Sequence, residues 1–243
     1  MPGNSVKDLV QLFEQVDSAV ALTGAGISTE SGIPDFRSPG GLYSQIDPME
    51  YLSVTAMYDH PDRFWRFFID VFSPIVDCEP NAGHEALARL EQAGRLVGVI
   101  TQNIDGLHTK AGSETVIEVH GHLRTVHCTS CGAVVPLADA AEQVRAADLP
   151  TCSECGGALR PDVVLFGDQL PEIDRAMELA QSVDLVLVVG SSLSVTPASY
   201  IALQPARRAI INREPTMVDS VSDVVINAAA GETLTALVEA LVG

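Results

Sequence analysis

Basic residues are scarce in this 243-residue chain: 14 Lys and Arg stand against 32 Asp and Glu, a formal net charge of −18. Phosphate backbones bind basic faces, so no direct nucleic-acid partner is expected. A basic, Lys-rich peptide is attracted instead. Long apolar runs are missing too. The longest, VDLVLVVG at 183–190, is far too short to cross a bilayer, and MPGNSVKDLV has no basic-then-apolar signal pattern. Cysteines number five, four of them in two CxxC pairs, which suggests a reducing compartment and a metal more than disulfides. A cytoplasmic protein with no membrane association is the expectation.

With 47% hydrophobic residues the chain is long enough for a sizeable core. Apolar stretches at 18–22 (SAVAL), 95–100, 115–119, 162–166 (DVVLF), 184–189, 207–211 and 223–226 read as strands. Helical spacing covers 5–16, 81–94, 171–182 and 231–242, with Asn81 as an N-cap and Gly94 past the helix end. This alternation predicts an α/β fold, a Rossmann-like parallel sheet covered on both faces, with ligands beyond the carboxyl ends of the strands. TGAGIS, TQNID, HG, GSS and NRE each follow a strand, so they should meet along one sheet edge. Residues 34–80, with loop signals and then the aromatic-rich DRFWRFFIDVF, break the alternation. So do residues 121–161, which hold the paired cysteines. Both read as insertions that form a smaller, discontinuous lobe.

Cys128-x2-Cys131 and Cys152-x2-Cys155 supply four thiolates, a complete tetrahedral shell for one structural Zn²⁺ with no open position. His122 and His127 are close enough to be spare ligands. Cys78 stands outside the pattern and reads as a small buried residue. Gly24-Ala25-Gly26 permits a tight turn and close approach to a pyrophosphate, but Thr29 occupies the place of a third glycine. Asp47 follows no strand, so it does not serve as the usual acidic ribose ligand; Asn212 is the better candidate. His120, beside the end of one strand, is placed to take a proton from a hydroxyl. Its neighbours there are Asn103 and Asp105, although Asp105 can equally cap the next helix. His84 and His108 read as structural. The aromatics Phe64, Trp65, Phe67 and Phe68 read as core.

Taken together, GAGIS, GIPDFR, TQNID, HG, the paired CxxC motifs, VVLFGD, GSSLSV and INREP resemble the sirtuins, NAD-dependent protein lysine deacylases, over nearly the whole chain. The resemblance implies a Rossmann-type domain of residues 1–33, 81–120 and 162–243. Beside it stands a lobe made of a cofactor loop with a helical module (34–80) and a zinc-binding module (121–161). It implies that NAD is consumed: nicotinamide leaves, and the acyl group of an acetyl-lysine protein or peptide passes to ADP-ribose. His120 corresponds to the base, with Asn103 and Asp105 at the reacting ribose. Gly24, Ala25, Gly26 and Thr29 are implied at the phosphates, and Asp35, Phe36 and Arg37 in a closing loop. Gln102, Asn103, Ile104 and Asp105 fall at the nicotinamide and its ribose, and Gly190, Ser191 and Ser192 at phosphate or ribose. Asn212, Arg213, Glu214 and Ala230 fall at adenosine. A peptide strand is implied against Val164, Leu165, Phe166, Gly167 and Val195. Relatives that favour succinyl or malonyl lysine carry a Tyr-x-x-Arg pair where this chain has Phe68 and Val71, so acidic acyl groups should be poor substrates. Asp168 departs from the frequent Glu but keeps the charge. A protein mono-ADP-ribosyltransferase is the competing reading; a dehydrogenase and a non-catalytic binding module rank lower.

Overall fold

The computed structural model describes residues 4–36, 38, 40–44, 46–147 and 149–243. In chain order the strands are β1 (Ala19–Thr23), β2 (Val99–Thr101), β3 (Val116–Glu118), β4 (Gly121–Cys128), β5 (Val134–Pro136), β6 (Leu159–Val163), β7 (Leu185–Val189), β8 (Arg207–Ile211) and β9 (Val224–Ile226). The helices are α1 (Val6–Phe13), α2 (Pro48–Tyr51), α3 (Val54–Asp59), α4 (Pro61–Phe72), α5 (Ala82–Gln92), α6 (Leu107–Lys110), α7 (Leu137–Arg145), α8 (Ile173–Gln181) and α9 (Ala230–Val242).

Six strands form one sheet in the order β3-β2-β1-β7-β8-β9, and every pairing in it is parallel. Counting only these six, the order is 3-2-1-4-5-6, the doubly wound arrangement. Every residue of β1 and β7 is buried, because helices cover both faces of the sheet. On one side α1, α5 and α9 pack Leu9, Leu87 and Leu234 against Ala21 and Leu187. On the other, α8 and a 3-10 helix at Ala198–Leu203 pack Ala176, Ala180 and Ile201 against Val20 and Val188.

β4, β5 and β6 form a separate antiparallel sheet in the order β5-β4-β6. Its core is aromatic. Phe64, Phe68 and Phe72 of α4 succeed one another at ring separations of 5.6 and 4.9 Å, packed with Val126, Leu159 and Ala140. The helical spacing that put these aromatics on one face thus builds a core, as expected.

Two expectations require correction. The strand read at 162–166 runs three residues earlier, Leu159–Val163, and belongs to the small antiparallel sheet instead of the parallel one. Its burial alternates: Leu159, Pro161 and Val163 are buried, while Arg160 and Asp162 are only partly so. That is the period-2 signature of a strand with one covered face, which the apolar run VVLF masked. Cys78 is half-buried instead of buried, with its thiol 3.7 Å from the Pro74 carbonyl. Asn81 does cap α5. Its Oδ1 accepts from the Gly83 N–H at 2.9 Å, and its Nδ2 donates to the Ile27 carbonyl at 2.8 Å.

Candidate active site and metal centre

β1 and β7 lie side by side, but the chain leaves them toward opposite faces of the sheet. After β1, Ile27 joins the α5 and α9 side; after β7, Leu193 joins the α8 side. A crevice opens at such a switch point, and here it is a cavity of about 830 Å³. The glycines explain how the two loops approach. The Gly24 N–H donates to the Val189 carbonyl at 3.1 Å and the Gly26 N–H to the Gly190 carbonyl at 2.8 Å. A Cβ on Gly26 would stand 2.7 Å from that Gly190 oxygen, and one on Gly24 2.9 Å from Ser191 Cβ. Both positions therefore require glycine for loop-to-loop packing. Their own N–H groups are already engaged, so neither glycine has an N–H left to donate to a ligand in the cleft.

The strand-end clusters converge as expected. Gly24, Ala25, Gly26 and Thr29 share the cleft wall with Gln102, Asn103, Ile104 and His120. Gly190, Ser191 and Ser192 follow, then Asn212, Arg213, Glu214 and Ala230. Asp35 and Phe36 close one side, while Val164, Leu165, Phe166, Gly167 and Val195 line the other. Arg37 lies outside the described residues. The wall also includes Leu52, Phe68, Phe72, Val163 and Asp168. Sequence reasoning gave Phe68 to the core; it does pack there, fully buried, yet it and Phe72 also border the cavity.

His120 sits on the turn between β3 and β4. Its Nδ1 meets the Gln102 carbonyl at 2.9 Å. A carbonyl only accepts, so Nδ1 carries the hydrogen and the basic lone pair is on Nε2. Gly121, next in the chain, has φ +78°, and its Cβ position is occupied by the Asp162 backbone, so no other residue fits the turn.

Asp105 is one layer behind the wall. Its carboxylate accepts from Ser28 Oγ at 2.7 Å and from the Leu107 N–H at 3.0 Å, so it both caps α6 and joins a buried polar network. Ser28 Oγ in turn accepts from Asn103 Nδ2 at 3.1 Å and faces His84 Nε2 at 3.4 Å. His84 Nδ1 accepts from the Asn81 N–H, which leaves the hydrogen on Nε2. His108 Nε2 meets Thr23 Oγ1 at 2.8 Å, and Thr23 donates onward to Thr101. The two histidine rings stand 4.9 Å apart. Burial raises the Asp105 pKa, against the hydrogen bonds from Leu107 and Ser28; Glu118 pushes it further up. Burial alone lowers His84 to about 4, and burial with His84 beside it holds His108 well below the usual imidazole range. Both imidazoles are structural neutrals, as their sequence context suggested.

The four sulfurs of Cys128, Cys131, Cys152 and Cys155 lie within 4.8 Å of one another. Two of the separations are 3.5 and 3.7 Å. A tetrahedral Zn²⁺ with Zn–S near 2.3 Å demands S···S of about 3.8 Å, so the set fits. Backbone N–H groups of Cys131 and Ser130 pull the Cys128 thiol down to about 6. The Ala133 N–H favours the Cys131 thiolate, yet the neighbouring Cys155 and Cys128 push that thiol up to about 12. Four clustered thiols cannot all ionise without a cation among them. His127 is not part of the set; Nδ1 pairs with Asp162 at 2.6 Å.

Residues 24–197 match the family model described as the Sir2 family. The chain belongs to the Sir2 family. A Caldivirga maquilingensis NAD-dependent protein deacetylase is 48% identical over 89% of this chain and 86% of its own length. A Geobacillus kaustophilus NAD-dependent protein deacetylase 1 is 47% identical over 91% and 93%. Among solved structures, a Sir2 complex with a p53 peptide and NAD⁺ superposes with a TM-score of 0.89 at 36% identity, covering 97% of this chain and 98% of that one. Among the described residues, no helix of this Sir2-family protein is long and apolar enough to cross a membrane.

Two outcomes follow from the chemistry of the site. Cys152→Ala, at a residue that is 3% exposed, should reduce bound zinc from one ion per chain to near none and lower the melting temperature sharply, because the bound metal supplies folding free energy. Elemental analysis beside thermal denaturation checks this, and a metal-free variant with unchanged melting refutes it. The second concerns acid. In the unfolded chain His84 titrates near 6.5 but in the fold near 4, so the unfolded state takes up the proton first. Stability is therefore full above about pH 6.5 and declines as pH falls toward 4, by at most about 3 kcal/mol for this residue. Urea denaturation across that range should show a shallower decline for His84→Gln.

Proposed function

We propose that this protein is an NAD-dependent protein lysine deacetylase and that His120 is its base. One observation carries the reading: an imidazole with its lone pair on Nε2 stands on the wall of the same cleft as the glycine pair Gly24 and Gly26 and the pair Ser191 and Asn212. A dinucleotide fits that cleft by the close approach the glycines allow and by the polar residues at both ends. When bound, NAD supplies an electrophilic ribose carbon, whose nicotinamide departs, and the hydroxyls that accept the acyl group. The relatives named as deacetylases and the NAD and peptide complex of a Sir2 structure support the assignment.

The chain's own residues divide the work. His120 Nε2 removes a proton from a ribose hydroxyl, while the Gln102 carbonyl fixes the ring's tautomer and attitude. Asn103, bonded to the Gly24 carbonyl at 3.2 Å and to Ser28, holds the floor of the nicotinamide end rigid. Asp105 acts from behind by orienting Ser28. Leu52, Phe68, Phe72, Ile104 and Phe166 make the adjoining wall apolar, which keeps water from the reacting carbon. Asp35 and Phe36 close one side of the cofactor cleft; Asn212, Arg213, Glu214 and Ala230 hold the adenosine end.

An acylated peptide adds as a strand beside Val164–Gly167, opposite Val195. The N–H groups of Val164, Leu165 and Phe166 are already donated to His120, Asp168 and Leu52. The Leu165 and Phe166 carbonyls in turn accept from the Asp168 and Val54 N–H groups, so the added strand is met by the Val164 carbonyl and by Gly167. Such pairing reads backbone, so sequence selectivity is loose, and the net charge of −18 favours basic substrates. The structural zinc holds together the lobe that carries β6 and thus this edge.

Acyl choice follows from the walls. Phe68 is fully buried at the cleft. Val71 lines a separate hollow of about 140 Å³ with Pro74, Ile75 and Cys78. Neither offers a charge to an acyl carboxylate, and leaving one unpaired there is costly.

Incubation with NAD and an acetyl-lysine peptide should release free nicotinamide and O-acetyl-ADP-ribose, identified by mass. His120→Ala should cut turnover by about 10² to 10⁴ with the melting temperature preserved. ADP-ribose attached to the peptide or protein as the main product would establish the transferase reading in its place. The same peptide carrying succinyl-lysine should react about a hundredfold more slowly; faster desuccinylation than deacetylation would overturn the acyl assignment.

A further inference from the structure

The turn that carries His120 is also the passage between the two sheets, since β3 ends at Glu118 and β4 begins at Gly121. Glu118 and Arg124 grip each other across it. Arg124 donates from Nη1 to Glu118 Oε1 at 2.7 Å and from Nη2 to Oε2 at 2.5 Å, a two-pronged pair. The Glu118 side chain is only 13% exposed, against 51% for Arg124. Most exposed ion pairs do little, but a bidentate fork on a shielded carboxylate is the strong form of this contact.

The pair also touches the loop behind the cleft. Arg124 Nη1 lies 3.6 Å from where a Cβ of Gly106 would stand, directly after Asp105. Beside it, the Leu123 N–H donates to the Ile104 carbonyl at 3.1 Å.

We propose that Glu118 and Arg124 form a latch between the two sheets that positions His120. Both are positioning residues; neither lines the cleft. The kinetic consequences rest on the deacetylase reading, whereas the structural one does not. Without Arg124, the shielded Glu118 carboxylate loses its two-pronged partner and the His120 turn is no longer tied across the two sheets.

The test compares wild type with Arg124→Ala, Arg124→Lys and Glu118→Gln/Arg124→Ala. Hydrogen exchange without any substrate should be about tenfold faster at the amides of 119–123 and at Val164 in Arg124→Ala, and unchanged in β7. In turnover, Arg124→Ala should lose about tenfold in kcat with KM for NAD held within about twofold. The double variant, which strands no carboxylate but still lacks the tie, should keep the fast exchange and the low kcat. Arg124→Lys, a point charge without the fork, should fall between. Unchanged exchange, or a kcat loss that merely tracks melting temperature, overturns the latch. A wild-type protein that leaves NAD intact would instead sink the deacetylase reading, with the exchange comparison still deciding the latch.

Discussion

The close approach of two loops between β1 and β7 is the constraint on which the site depends. Parallel strands side by side, with their following segments sent to opposite faces, must leave an opening at their carboxyl ends. Its width is set where Gly26 meets Gly190, a contact with no room for a methyl group. Because both glycine N–H groups bond across to the β7 chain, the loops behave as one rigid rim. The polar groups of Gln102, Ser191 and Asn212 acquire fixed positions by being attached to that rim.

Beneath the rim lies a second constraint, a buried network from Thr101 through Thr23 to His108, and from His84 through Ser28 to Asp105 and Asn103. Buried polar groups are costly unless bonded, so each side chain here fixes its neighbour's orientation. Burial keeps both histidines neutral, and the network anchors the aspartate. The cleft therefore presents a preorganised polar floor, which is what positioning a departing cationic group requires. His120 alone stands forward of it, on the junction between the two sheets. That junction joins the four-cysteine sheet to the crevice, so the edge proposed for the peptide and the proposed base share one turn.

Sequence and structure agree most closely where the signal is local. Strand-end motifs were placed correctly because a fully buried parallel strand reads as an unbroken apolar run, as in LVLVV at β7. The four cysteines were legible because each CxxC turn brings its own pair together without help from distant chain. Asn81 was legible as a cap from its residue type and position. By contrast, β6 was misassigned because VVLF mimics a buried strand. Only pairing to β4 reveals the alternation at Leu159, Pro161 and Val163. The double role of Phe68 and Phe72, core on one side and cavity wall on the other, has no one-dimensional signature at all.

The residue order by itself therefore determined the alternating α/β plan, the zinc ligand set, and which strand ends carry polar groups, since all of these follow from periodicity and spacing within short windows. Only tertiary structure decided that Asp105 stands behind the wall, that Gly24 and Gly26 donate their N–H groups to the Val189 and Gly190 carbonyls, and that Glu118 meets Arg124 across the His120 turn. Those outcomes depend on which surfaces face each other after two sheets and their helices have packed. Contacts between segments far apart in the chain are fixed by that packing, not by any pattern within either segment.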